Sequence, residues 1–215
     1  EQARQYEDWT EAAARAGGSL SVTEMAVYRM QAGGVELLKP LLIWLHEPAR
    51  GLSPNVIDRI IEAAESWIIR RQLLRLSGGD LGRIVAEIVA AHLAAHSEEL
   101  AERVIGHLAR LNATSTYWPG DEELRMTLAT ESAYRRFPRA RLRMILEAAE
   151  NRYRQQTGQP QVERNGYPIE HLLPQKWMDN WPVHSPEAVD ERQARVHRLG
   201  NLTLLTSGLN SKISN

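Results

Sequence analysis

Two short segments near the end of the chain carry residue types that together could hydrolyse a phosphodiester bond. Residues 169–175 contain Glu170 and His171, and residues 199–205 contain Asn201 and are followed by Asn210. An imidazole with a pKa of about 6.5 can take a proton from water at neutral pH. Carboxylate and amide oxygens suit a hard divalent cation, which can neutralise charge on a departing oxygen. The pattern is therefore typical of a metal-dependent nuclease site.

The overall composition sets limits on the chain without identifying its chemistry. Its 215 residues are 43% hydrophobic, which is enough for one sizeable core or for two modest domains. The formal net charge is -1, so any attraction to phosphates must come from local clusters of Arg and Lys. The absence of cysteine excludes a disulfide framework, a thiolate zinc site and a cysteine nucleophile, and it favours a cytoplasmic location.

The sequence predicts neither a membrane span nor export. The longest uninterrupted apolar stretch runs only from Leu41 to Leu45, far short of the roughly 20 residues that cross a bilayer. No charged segment followed by an apolar one opens the chain. Because the chain begins with Glu1 and the last predicted helix stops at Asn215 soon after it starts, we expect a fragment of a longer protein.

Residues 1–157 follow a helical pattern, with apolar residues at every third or fourth position and Gly, Pro and Ser between the runs. Ser53-Pro54 is a favourable helix start, because Ser can cap free amides and Pro fits the first helical position. The helix over 139–154 has the clearest apolar stripe, formed by Leu142, Ile145, Leu146, Ala149 and Tyr153. Helices are predicted over 54–76, 81–95, 98–111, 122–128 and 139–154.

A change of composition near Gly158 predicts a loop and a boundary, so that residues 1–157 form a helical domain and residues 158–215 a separate module. Two short strands, Tyr167 to Leu172 and Leu202 to Leu205, can pair as a hairpin. The segment between them, 176–198, is expected to be a long ordered loop with a helix over 187–196. Thr206 or Ser207 would then cap a final helix containing Asn210.

These motifs resemble the HNH, or His-Me finger, nuclease module that ends GmrSD-type modification-dependent restriction endonucleases, including phosphorothioate-sensing Ssp-system relatives. The resemblance over 167–215 rests on Glu-His-x-x-Pro-Gln, on Gly-Asn-Leu-Thr-Leu-Leu and on an Asn nine positions after Asn201. Upstream, residues 67–76 with Arg70-Arg71 and residues 118–123 resemble what precedes that module. The implied architecture is mainly α, a helical domain followed by a small ββα-metal module whose C-terminal helix is truncated.

The resemblance also assigns roles to individual residues. It makes His171 the general base for the attacking water, and it gives Asn201 a structural role in which its amide bridges backbone groups around the His171 loop. Glu170 and Asn210 would hold one divalent cation, with Mg²⁺ as the first choice and Mn²⁺ as a substitute. Neighbouring strand residues point to opposite faces, so a bulge or a strand end must separate Glu170 from His171. Pro174 permits such an exit.

Several basic residues are candidates for contacts with DNA phosphates. His197 and Arg198 precede the second strand, and Lys212 follows Asn210. The densest basic run could attract the duplex backbone in a salt-sensitive way, and it comprises Arg135, Arg136, Arg139, Arg141 and Arg143.

The resemblance implies a DNA endonuclease with an antiphage role, which acts on phage or modified duplex DNA and leaves a 5′-phosphate and a 3′-hydroxyl. Its expected partner is an N-terminal nucleotide-hydrolysing sensor domain of the same full-length protein. No Gly-x-x-x-x-Gly-Lys-Ser/Thr loop occurs in these residues, so P-loop hydrolysis is not expected from them. Two alternatives remain, a non-catalytic DNA-binding or oligomerisation module and an RNA-directed toxin nuclease.

Overall fold

The computed structural model describes residues 2–95, 98–206 and 208–209. It is mainly helical, with 61% helix, and this confirms the predicted fold class at that level. Three short 3-10 turns lie at Pro48–Arg50, Trp177–Asp179 and Leu199–Asn201. In chain order, the elements are α1 (Gln2–Ala14), α2 (Val22–Gly33), α3 (Lys39–Leu45), α4 (Pro54–Leu73), α5 (Leu81–Ala91), α6 (Leu100–Ala109), α7 (Asp121–Thr130), α8 (Ala133–Arg136), α9 (Arg139–Gln156), β1 (Ile169–His171), α10 (Pro186–Arg195) and β2 (Leu202–Leu204).

The described residues fall into two compact units. The first lies within Glu1–Arg15 and Leu20–Leu124, and the second within Ala16–Ser19 and Arg125–Asn215. Helix α9 thus belongs to the same unit as the hairpin. The sequence predicts a boundary between residues 157 and 158, with a helical domain before it and a nuclease module after it. This division stays a prediction. No helix among the described residues combines the length and apolar character that a bilayer span requires.

Helix α4 is the centre of the first unit and contacts both α2 and α6. The Ser53 side chain caps it by accepting a hydrogen bond from the Val56 backbone N–H at 3.5 Å, as the Ser-Pro start predicted. Trp67 is fully buried, and its indole N–H donates to the Thr116 carbonyl at 2.7 Å. Arg71 is also buried, and its guanidinium donates to the carbonyls of Tyr117 and Ser77, which offsets the cost of its burial. Helix α4 therefore fixes the loop that precedes α7.

The second unit is built from α9 and a small hairpin. Helix α9 contacts α8 and β2. Of its predicted apolar stripe, Leu142 is buried, but Tyr153 is 70% exposed, whereas Met144 and Glu147 are buried instead. The prediction is wrong for Tyr153, and Ala149 is exposed as well. The elements with the most extensive contacts to α9 are α8 and β2, which are only four and three residues long and cannot cover an 18-residue helix.

Strands β1 and β2 pair antiparallel, which confirms the predicted hairpin. The register pairs Ile169 with Leu204, Glu170 with Thr203 and His171 with Leu202, without a bulge in these three pairs. Two further backbone bonds continue the ladder, from Leu172 N–H to the Asn201 carbonyl at 2.9 Å and from Leu205 N–H to the Pro168 carbonyl at 3.2 Å. The regular strand β1 nevertheless ends at His171, and Leu172 adds one backbone bond beyond it.

The segment between the strands is tied to α10. Trp177 is 1% exposed, and its indole N–H donates to Gln193 Oε1 at 3.3 Å. The guanidinium of Arg192 lies over the Trp177 ring, 5.1 Å from its centroid, and donates to the Trp181 carbonyl. Ser185 caps α10 by accepting from the Ala188 N–H at 3.2 Å. These bonds keep the long connection ordered, as expected from the sequence.

Candidate active site

The structure brings His171 and His197 into contact. His171 ends β1, and His197 lies two residues beyond α10. His171 Nε2 is 3.2 Å from His197 Nδ1, and the two rings are nearly perpendicular, at 81°. His197 is 5% exposed, whereas His171 is partly exposed. The two histidines therefore form a pair in which only His171 retains appreciable access to solvent.

Tyr134 completes this histidine pair, and it was not among the residues predicted from sequence. Its backbone N–H donates to the His197 carbonyl at 3.0 Å. Its ring stacks parallel to His197, with centroids 5.7 Å apart, and meets the His171 ring at 4.3 Å. The Arg139 guanidinium lies 3.6 Å from the centre of the Tyr134 ring, a cation–π contact. No sequence signal marks Tyr134, because its partners lie far away in the chain.

Burial and nearby charged groups lower the pKa of both histidines, and this favours their neutral forms. Burial lowers the pKa of His171, and the electrostatic influence of His197 and of the Arg139 guanidinium lowers it further. Burial also lowers the pKa of His197, with added contributions from Arg135 and Arg139. A neutral imidazole has a free lone pair, so at neutral pH His171 is able to accept a proton.

Asn201 bridges two backbone segments beside this pair. Its Oδ1 accepts a hydrogen bond from the Leu173 N–H at 2.8 Å. Its Nδ2 donates to the Leu173 carbonyl at 3.1 Å and to the Val196 carbonyl at 2.7 Å. The side chain therefore joins the segment after His171 to the residue before His197. This is the arrangement that the predicted structural role of Asn201 requires, while its importance for catalysis stays a prediction.

The predicted cation site is only partly within the described residues. Glu170 is partly exposed and pairs with Thr203, so strand alternation directs it away from the face of His171. His171 is the last residue of β1, and a strand end at this point is one of the two arrangements expected from the sequence. Asn210 lies outside the described residues. Among the residues that are described, no group of three or more His, Cys, Asp or Glu side chains could hold a metal.

The chemistry of Glu170 nevertheless suits the predicted ion. A carboxylate is the oxygen donor that Mg²⁺ and Mn²⁺ accept, and Mg²⁺ commonly binds through one or two protein carboxylates while retaining water. Glu170 thus fits one position of such a site. The described residues supply only this one of the two predicted ligands, so both the site and the identity of its ion stay predictions.

The predicted DNA-binding residues occupy different environments. Arg143 Nε donates to the Tyr167 carbonyl at 2.9 Å and so supports the segment before β1. Arg139 covers Tyr134, and His197 is buried against His171. Arg198 is half-buried, and Lys212 lies outside the described residues. Arg139 and Arg143 therefore have structural contacts, and the DNA-binding roles of all five stay predictions.

A cavity of about 550 Å³ adjoins Asn201 within the second unit. It opens between the end of α7, helix α10 and the turn that contains Gly200. Its wall combines three arginines with apolar side chains. The lining residues are Leu128, Ala129, Leu173, Glu191, Arg192, Arg195, Arg198, Gly200 and Asn201.

Comparison with known proteins gives one match. Residues 118–215 match the model of a family described as the GmrSD restriction endonucleases, C-terminal domain. This range contains α7 to α10, the hairpin, the histidine pair and Asn201. Neither the comparison with curated proteins nor the comparison with solved structures found a significant match. Residues 118–215 are therefore similar to the C-terminal domain of the GmrSD restriction endonucleases.

Proposed function

We propose that residues 118–215 form a metal-dependent DNA endonuclease, the effector part of an antiphage restriction protein that acts on modified DNA. The observation that carries this proposal is the placement of His171 at the end of β1, held by His197 and adjoined by the Asn201 bridge, inside a restriction endonuclease domain. The hairpin and the residues that follow it would correspond to the ββα-metal, His-Me finger arrangement of an HNH module. Phage or modified duplex DNA is the proposed substrate.

His171 acts as the general base in this proposal. The contact between His171 Nε2 and His197 Nδ1 needs one hydrogen, and we assign it to His171 Nε2. His171 Nδ1 then keeps its lone pair and takes a proton from the attacking water. His197 fixes the tautomer and the ring orientation of His171, and Tyr134 packs against both rings. His197 is therefore a positioning residue.

The water oxygen attacks phosphorus, and the bond between phosphorus and the 3′ oxygen breaks. The products are a 5′-phosphate and a 3′-hydroxyl, whose proton comes from solvent. Glu170 and Asn210 would hold the cation, Mg²⁺ or in its place Mn²⁺, which neutralises charge on the scissile phosphate and the leaving oxygen when bound. Asn201 keeps the backbone after His171 in register with the turn before β2.

The partner proposed for this module is an N-terminal nucleotide-hydrolysing sensor domain of the same full-length protein. The proposed location is cytoplasmic, where invading DNA would be met. The absence of cysteine fits a reducing compartment.

A plasmid assay tests the proposal. The chain is expected to nick or cut supercoiled plasmid with Mg²⁺, and His171→Ala is expected to lose this activity while its circular dichroism spectrum is unchanged. His184→Ala is the matched control, because His184 is an exposed histidine of the same unit. DNA binding without cleavage would favour the non-catalytic module, and cleavage of total RNA but not plasmid would favour the toxin nuclease. Either result contradicts the proposal.

A further inference from the structure

The cavity beside Asn201 has a positively charged lining, and within the part of the chain that the structure describes, not all of its cationic side chains are paired with an anion. Three arginines and one glutamate line it, and Arg195 forms an ion pair with Glu191. Arg192 donates to the Trp181 carbonyl and covers the Trp177 ring. Two cationic side chains therefore have partners in α10 and the loop before it.

Arg198 is the exception in this cavity. It is half-buried, and its Nε is buried without a hydrogen-bond partner among the described residues. A desolvated guanidinium N–H is costly unless an acceptor reaches it. Phosphate oxygens match the planar fork of an arginine, which can donate two parallel hydrogen bonds to them. Arg198 is therefore the residue around which an anionic group would bind.

Part of the wall is apolar. Leu128, Ala129 and Leu173 supply hydrocarbon surface, and the volume of about 550 Å³ lies in the range of small-molecule sites, roughly 300–1,000 Å³. An inorganic anion would leave this surface without a partner. A phosphate that carries a sugar and a base would use both parts of the wall.

We propose that this cavity binds one nucleotide of the nucleic-acid strand, with its phosphate on Arg198 and its sugar and base against Leu128, Ala129 and Leu173. The inference deepens the proposed function and rests on it for the identity of the strand. Leu173 lies two residues after His171, and Asn201 both lines the cavity and bonds to Leu173. The bound nucleotide would therefore adjoin the backbone segment that carries the general base.

Binding measured without metal tests this proposal separately from cleavage. The full chain is titrated in EDTA into a fluorescently labelled single-stranded DNA hexamer, and anisotropy is recorded. Arg198→Ala is expected to weaken binding about tenfold, the loss of one charge-assisted hydrogen-bonding group. Ala129→Trp, which fills the cavity and leaves every charge in place, is expected to weaken it as well. Arg152→Ala removes an exposed arginine of α9 outside the cavity and is expected to bind as the unchanged chain does.

A competition experiment separates a nucleotide from a simple anion. Thymidine 5′-monophosphate is expected to displace the hexamer at a lower concentration than inorganic phosphate does, and Arg198→Ala is expected to remove this difference. Equal displacement by both competitors would overturn the nucleotide assignment. Unchanged hexamer binding in both Arg198→Ala and Ala129→Trp would overturn the site itself, even with an active nuclease. Loss of plasmid nicking in His171→Ala concerns only the proposed function, since hexamer binding does not require the general base His171.

Discussion

Different kinds of contact stabilise the central residues of the two compact units, each considered by itself. In the first, a continuous set of buried apolar side chains surrounds α4, with Ile60, Ile61, Trp67 and Ile68 removed from solvent. In the second, the residues around the hairpin rely on hydrogen bonds from side chains to backbone, above all those of Asn201 and Arg143.

The difference indicates how the proposed site is built. Apolar burial is non-directional and gives stability roughly in proportion to area, whereas hydrogen bonds fix distances and angles. A general base must be held in one orientation, and the polar bridges of the second unit provide this. We therefore expect substitutions in the first unit to change mainly the free energy of unfolding, and substitutions in the second to change mainly activity.

Trp67→Ala is expected to have the largest effect on stability. It removes a fully buried indole and its bond to the Thr116 carbonyl, so the free energy of unfolding should fall by about 3–5 kcal/mol. Denaturant unfolding followed by circular dichroism measures the change. Phe137→Ala, which removes a buried aromatic ring of the second unit, is the matched variant and should cost less. An equal or larger cost for Phe137→Ala would contradict the contrast between the units.

Asn201→Ala is expected to change plasmid nicking more than it changes the free energy of unfolding. It leaves the Leu173 N–H and two carbonyls without their partner, which costs about 1–3 kcal/mol in local stability. Because the loop after His171 then loses its position, plasmid nicking should fall by more than global stability suggests. Hydrogen exchange of the Leu173 amide and the nicking rate are measured together. Full activity with a faster-exchanging Leu173 amide would show that the bridge is not needed for catalysis.

His197→Phe tests whether His197 positions His171 within the second unit. The substitution keeps an aromatic ring against Tyr134 and removes the nitrogen that faces His171 Nε2. The nicking rate is expected to fall about tenfold, corresponding to 1.4 kcal/mol in the barrier, with little change in thermal stability. His184→Phe is the control, since His184 is exposed. An unchanged rate in His197→Phe would leave His197 with a packing role only.

The smallest expected effect concerns the pH dependence of stability in the first unit. Burial lowers the pKa of His92, and His107, Arg103 and Arg110 lower it further. The unfolded chain then binds a proton near pH 6.5 that the folded chain does not bind until lower pH, so stability falls as pH drops below about 6.5. His92→Gln cannot titrate and should show a weaker loss of melting temperature between pH 7 and pH 5.5. An identical pH profile would exclude His92 as the cause.

Much of the fold follows from local sequence pattern. The starts of α4 and α10 follow from Ser-Pro pairs, because the Ser side chain accepts from a backbone N–H and Pro occupies the first turn. The pairing of β1 with β2 follows from two short apolar runs, the second of them bounded by turn residues. The apolar stripe of α9 was less informative, because periodicity indicates which residues can be buried and the small size of the neighbouring elements leaves Tyr153 exposed.

The sequence determined the residue types at the site, the two motifs that carry Glu170, His171 and Asn201, and the match of residues 118–215 to a family of restriction endonuclease domains. These features are local, since they depend on spacing along one strand or one turn. Only the tertiary structure decided that Tyr134 and His197 contact His171 and that Arg198 lines a cavity with Leu128. Contacts of this kind depend on how separate elements pack, and a single sequence carries no periodic signal for them.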